Sequence, residues 1–168
     1  FASTLAGNDG TGDNLTISGA LDLDGAATSL TTLDVEGASN LGANVTTSGT
    51  QTYTGAVTLS GGNRTLEAST VNFVDTLAGG TNGLTITGNL DLDGAATGLT
   101  TLSVSGTSNL GANVTTSSTQ TYSGAVTLSG ADRTLTASIV NFVDTLAGGT
   151  NGLTITGNLD LDGAATGI

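Results

Sequence analysis

Short runs of alternating apolar and polar residues recur along the whole chain. Residues 84–87, 90–93 and 126–129 each place an apolar side chain at every second position and end near Gly, Asn or Ser. Alternation with period two is typical of β-strands, and the abundant Thr and Val favour extended backbone. No window shows the 3.6-residue stripe of an amphipathic helix. The pattern therefore predicts an all-β chain with strands of about four to seven residues.

The alternating runs belong to a repeat of 69 residues. The string LDLDGAAT begins at residues 21, 90 and 159, and residues 30–98 match residues 99–167 at 60 of 69 positions. Most differences are surface-type exchanges, whereas the apolar positions hardly change. We therefore expect a partial repeat at 1–29 and complete repeats at 30–98 and 99–167, all in one continuous solenoid that is a fragment of a longer array.

The repeat favours a parallel β-helix (β-solenoid) with about three coils of about 23 residues per copy. The chain has no Pro, as expected where every strand needs its N–H groups for a neighbour, and only three Phe and two Tyr to fill an interior. Tandem small β-sandwich domains are the alternative. The apolar positions predicted to point inward in the central copy are Leu33, Val35, Leu41, Val45, Val57, Leu59, Leu66, Val71, Phe73, Leu77, Leu84, Ile86, Leu90 and Leu92.

Composition narrows the function. The chain has 14 acidic and 2 basic residues, a formal net charge of −12, and no Cys or His. Nucleic acids and anionic membranes require basic patches, and zinc sites and catalytic triads commonly use Cys or His. No run approaches the ~20 apolar residues of a membrane helix. We therefore expect no enzyme, no nucleic-acid partner and no membrane insertion of this segment.

Several segments carry a family resemblance. Residues 98–106, 114–117 and 119–130 resemble the repeats of large filamentous-haemagglutinin-type bacterial adhesins, and the most telling segment, Gln-Thr-Tyr-x-Gly-x-Val-Thr-Leu, occurs at 51–59 and 120–128. The resemblance covers essentially the whole chain. It implies a right-handed parallel β-helix, secretion to the bacterial outer surface, and a role in attachment or biofilm.

These observations predict the structural shaft of a secreted or cell-surface bacterial adhesin or extracellular filament, which would give reach and rigidity. One alternative is a module that binds glycans or matrix. Another is a self-assembling fibre subunit with calcium-stabilised acidic faces. The expected partners are neighbouring repeats of the same parent chain, with other copies in a fibre or host and matrix glycans under the two alternatives.

Paired aspartates are the candidate metal ligands. The two members of a pair are two residues apart and so lie on one face of a strand, roughly 7 Å apart, and carboxylate oxygens suit calcium. The alternative is a solvated outer face, which identical recurrence in every copy favours; the same recurrence argues against the carboxylate pair of a glycosidase. The residues are Asp22, Asp24, Asp91, Asp93, Asp160 and Asp162.

Three further motifs have structural interpretations. Thr pairs suggest an ice-binding ladder, but that would need the same motif at every turn. The Gly-rich stretch 79–83 reads as a corner, and the first copy has three extra residues here, at 7–14. Tyr53 and Tyr122 are candidate stacking platforms for sugars, with packing in the rim or core as the alternative.

Overall fold

The computed structural model describes residues 1–8 and 12–168, which form 22 strands and no helix, and so contain no helix that could span a membrane. The insertion expected at 7–14 lies partly outside the described residues. The strands are β1 (Leu5–Ala6), β2 (Asn14–Ile17), β3 (Leu21–Leu23), β4 (Ala27–Leu30), β5 (Thr32–Val35), β6 (Ser39–Leu41), β7 (Val45–Thr47), β8 (Thr50–Tyr53), β9 (Val57–Leu59), β10 (Arg64–Phe73), β11 (Leu77–Ala78), β12 (Leu84–Leu92), β13 (Ala96–Leu99), β14 (Leu102–Val104), β15 (Ser108–Leu110), β16 (Val114–Thr116), β17 (Thr119–Tyr122), β18 (Val126–Leu128), β19 (Arg133–Phe142), β20 (Leu146–Ala147), β21 (Leu153–Leu161) and β22 (Ala165–Thr166).

The strands wind into a coil with three faces. Each strand pairs in parallel with the strand one turn before it and one turn after it, and all belong to a single sheet. The first face contains β2, β5, β8, β15, β18, β20, β22 and the C-terminal halves of β10 and β12. The second contains β3, β6, β9, β11, β13, β16 and the N-terminal halves of β19 and β21. The third contains β1, β4, β7, β14, β17, the N-terminal halves of β10 and β12, and the C-terminal halves of β19 and β21.

The predicted parallel β-solenoid is confirmed, and its coil is shorter than expected. Leu33 pairs with Gln51 and Gln51 with Val71, so successive turns are 18 and 20 residues long at this point. The spacing is about 19 residues overall, giving about 8 turns instead of coils of about 23 residues. The difference arises because β10, β12, β19 and β21 run round a corner without a loop.

The interior holds the apolar half of each alternating run. All fourteen residues predicted to point inward are buried, from Val35 and Phe73 at 0 % exposed to Leu90 at 3 %. The side chains from the three faces meet in one continuous core. The alternative of tandem β-sandwiches is wrong, because a sandwich needs antiparallel sheets and every strand pairing here is parallel.

The repeat does not correspond to a whole number of turns. Nine strands, β5–β13, fill one copy, and β10 and β12 each supply two faces, so a copy holds eleven strand segments at three per turn. One copy is therefore three and two-thirds turns. The ladder Leu33–Gln51–Val71 on the first face recurs as Leu102–Gln120–Val140 on the third. Each copy keeps its internal neighbours but is rotated by about a third of a turn.

Corners require glycine where consecutive turns touch. Gly88 has φ of 130°, and a Cβ there would lie 1.8 Å from the carbonyl oxygen of Ala68 in the preceding turn. Only glycine adopts this backbone without strain. Gly88 is the residue at which β12 bends from the third face to the first, opposite the irregularity between Glu67 and Thr70 of β10.

Candidate functional site

The outer surface carries ladders of short polar side chains. Asn40 Nδ2 donates to Asp22 Oδ1 at 2.7 Å, and Asn109 Nδ2 donates to Asp91 Oδ1 at 2.9 Å. Each bond joins one turn to the next, because the two residues are register partners. The alternating sequence places these side chains outward, opposite the buried leucines on either side. The first aspartate of each pair is thus a member of a cross-turn ladder.

The aspartate pairs lie on three different faces. Asp22 belongs to the second face, Asp91 to the first and Asp160 to the third. In the described part of the chain, no three Asp, Glu, His or Cys side chains come together in a group that could hold a metal ion. The second members, Asp24 and Asp93, follow their strands and are exposed. Calcium binding at the six aspartates stays a prediction, and each pair would need ligands from outside its own carboxylates.

Tyr53 and Tyr122 lie in the core, so neither can be a surface platform for sugars. Each ring stacks on a phenylalanine of the following turn, with the Tyr53 and Phe73 centroids 5.5 Å apart. The Tyr53 hydroxyl donates to Gln51 Oε1 at 3.2 Å, and the same bond joins Tyr122 to Gln120. Burial raises the pKa of both tyrosines well above the ordinary value near 10.

The buried glutamines were missed by the sequence reasoning. Gln51 is 0 % exposed, and its Nε2 donates to the carbonyl oxygens of Val45 at 3.2 Å and Glu67 at 2.8 Å, which lie on successive turns of the third face. The amide thus ties one face to another inside the coil. A signal was present, because Gln51 and Tyr53 share the inward parity of the run that ends in Tyr53.

Asparagine and aspartate side chains brace the corner between the second and third faces. Asn63 Oδ1 accepts the N–H of Gly83 at 2.7 Å, and Asn44 Oδ1 accepts that of Thr65 at 3.0 Å. In the next copy Asp132 takes the place of Asn63 and accepts the N–H of Gly152 at 2.6 Å. These bonds replace backbone pairing where the turns are longest. The sequence predicted a corner at 79–83 but not its braces.

Two shallow grooves mark the surface. One of about 360 Å³ follows the corner residues Ala20, Ala38 and Ala56 and reaches Asp22. Its single carboxylate already accepts from Asn40. The other, of about 210 Å³, lies beside Leu99 and is lined by hydroxyl side chains and backbone. Neither groove combines a nucleophile with a base, so these two grooves offer surface for contact rather than for acid–base chemistry.

The chain was also compared with known proteins. No protein-family model, no curated protein and no solved structure matches it.

Proposed function

We propose that this chain is part of the shaft of a secreted or cell-surface bacterial adhesin of the filamentous-haemagglutinin type, acting as a rigid spacer in attachment. The observation that carries the proposal is the way in which successive copies join. Copies at 30–98 and 99–167 continue one sheet, turn upon turn, with no break in strand pairing between β13 and β16 or β12 and β14. A chain built in this way lengthens by adding copies.

Rigidity follows from the direction of the bonds. In a solenoid the backbone hydrogen bonds run along the axis, so bending must lengthen those on the outer side of the bend. The three-faced section resists bending in every direction, because each face carries its own ladder. Side chains add cross-turn bonds, such as those of Gln51 inside and Asn109 outside.

The surface suits exposure outside the cell. A net charge of −12 makes neighbouring rods repel one another and opposes non-specific association. The only basic residues are Arg64 and Arg133, so trypsin-like proteases have two sites in 168 residues. Arg64 Nε donates to the Gly62 carbonyl oxygen at 3.0 Å, and Arg133 Nη2 to that of Ser129 at 2.7 Å, which holds both side chains against the corner.

Length provides the quantitative test. Turns stack about 4.8 Å apart, so one copy of three and two-thirds turns adds about 18 Å to the rod. A flexible linker of the same residue count has an end-to-end distance of roughly 45 Å, which grows only with the square root of copy number. The two laws cross near seven copies, by the same estimate. The advantage of the solenoid is therefore linear growth and fixed direction, not length per residue.

The experiment is small-angle X-ray scattering and electron microscopy of arrays that contain two, four and eight copies of residues 30–98. We expect thin rods whose maximum dimension rises by about 18 Å per copy. Gly/Ser chains of equal length are the control and should follow the square-root law. Beaded particles, or a dimension that fails to grow linearly, would contradict the spacer.

The role in attachment is tested on cells. A binding head joined to a surface anchor through eight or more copies should capture a ligand that is beyond the reach of two copies. The Gly/Ser control should lose most of this gain. Capture that is independent of copy number, or glycan binding by the shaft without its head, would contradict a spacer and favour a binding module.

A further inference from the structure

The sequence Gly-Gly-Thr-Asn-Gly occurs at 79–83 and again at 148–152, and contains the only two Asn-Gly pairs of the chain. Asparagine followed by glycine is the pair most prone to lose its side-chain amide, because glycine leaves the following backbone nitrogen unhindered. Both pairs sit in a surface corner between the second and third faces. Exposure and sequence alone would make both corners reactive.

The structure restrains both reacting groups of the first corner. The backbone N–H of Gly83 donates to Asn63 Oδ1 at 2.7 Å. The Asn82 amide Nδ2 donates to the carbonyl oxygens of Leu59 at 3.2 Å and Gly79 at 2.9 Å. The nucleophile and the leaving group are thus each bound to a partner, and both must leave those partners before the nitrogen can reach the Asn82 side-chain carbon.

We propose that Asn82 and Asn151 are latent deamidation sites, and that Asn63 and Asp132 are the residues that suppress the reaction from the preceding turn. In the reaction the Gly83 nitrogen bonds to Asn82 Cγ, the Cγ–Nδ2 bond breaks, and ammonia leaves with the proton given up by the Gly83 N–H. Water then opens the five-membered imide to give aspartate or isoaspartate.

The two corners differ in a way that the chain itself can report. The first corner is also held by the following turn, because Thr100 N–H donates to the Asn82 carbonyl oxygen at 3.0 Å and Thr100 Oγ1 to that of Thr81 at 2.6 Å. The second keeps the bonds of Asn151 to the preceding turn, with Nδ2 donating to the Leu128 carbonyl oxygen at 3.1 Å. In this 168-residue chain Asn151 should therefore react faster than Asn82.

The experiment is timed incubation of the folded 168-residue chain at mildly alkaline pH, followed by trypsin digestion under denaturing conditions and mass spectrometry. Cleavage after Arg64 and Arg133 gives the peptides 65–133 and 134–168, which separate the two Asn-Gly pairs. Asn63→Ala should accelerate loss of the Asn82 amide roughly tenfold, the population shift expected for losing one such hydrogen bond. Asn151 in the same molecule should be unchanged.

Matched variants complete the test. Asp132→Ala should accelerate Asn151 and leave Asn82 unchanged. Asn63→Asp keeps an acceptor, as the second copy does naturally, and should retain protection. Asn44→Ala removes a neighbouring brace that binds Thr65 instead of Gly83, and should have no effect.

Four results would overturn the proposal. They are an Asn82 rate in the wild-type chain equal to that of the unfolded chain, no acceleration in Asn63→Ala, equal acceleration in Asn44→Ala, or slower reaction of Asn151 in Asp132→Ala. The last result would make the carboxylate a base that promotes the reaction. None of these outcomes depends on whether the chain is a shaft, so failure here leaves the proposed function standing.

Discussion

The buried pair Gln51 and Tyr53 offers a direct measurement of how one turn is tied to the next. The Tyr53→Phe change removes the hydroxyl that donates to Gln51 Oε1 and leaves that oxygen buried without its donor. We expect it to cost about 1–3 kcal/mol, because an unsatisfied buried acceptor adds its desolvation to the lost bond. The stack on Phe73 is retained, so the change isolates the polar contact.

The Gln51→Leu change should cost more. It removes the two bonds from Nε2 to the carbonyl oxygens of Val45 and Glu67 and also leaves the Tyr53 hydroxyl without an acceptor. The expected loss is about 2–4 kcal/mol. In the double variant the orphaned hydroxyl is gone, so the two losses should not add, and the coupling energy should be about 1–2 kcal/mol.

The assay is native-state hydrogen exchange with urea denaturation, read on the peptides around this turn, because a repeat array need not unfold in one step. The matched control is the equivalent pair Gln120 and Tyr122, which has the same 3.2 Å hydroxyl bond on a different face. The two cycles should agree within about 0.5 kcal/mol. Additive losses, or a neutral Tyr53→Phe, would refute the view that the amide ties the turns together.

Two further changes test the core and the corners. Because burial raises the pKa of Tyr53 and Tyr122, the fold favours the neutral phenols. Stability should be complete below pH ~10 and fall above it by about 1.4 kcal/mol per tyrosine per pH unit, and absorbance should show phenolate only as circular dichroism shows loss of strands; phenolate in an intact fold would contradict this. Gly88→Ala would place a methyl group against Ala68 and should cost more than about 3 kcal/mol in urea unfolding. Gly19→Ala, where the added carbon meets no atom within 4 Å, should be nearly neutral, and equal effects of the two would show that the contact is unimportant.

The sequence predicts the interior well because alternation determines which side chains point inward. Val35, Leu66 and Phe73 were assigned to the core from parity alone and are 0 % exposed. Parity does not, however, determine where the chain turns a corner. Residues 64–73 form a single strand that bends between Glu67 and Thr70, so the coil is shorter than strand spacing suggested.

The polar contacts depend on residues that are close only across turns. Gln51 reads as a surface residue until the carbonyl of Glu67, sixteen residues later, is placed above it. Asn63 likewise gains its partner from Gly83, twenty residues later. Such bonds require the register between turns, which follows from the length of each coil. The candidate aspartates were identified as outward from sequence, but their distribution over three faces depends on the same register.

The fractional turn in each copy has a consequence for whatever lies beyond the array. Because a copy contains eleven strand segments at three per turn, inserting or deleting one copy moves the far end by about 18 Å and also swings its heading by about a third of a revolution. Only a change of three copies restores the original heading. A population of chains that gains and loses repeats would thus aim its outer end in three directions while varying its distance, so that repeat number encodes both.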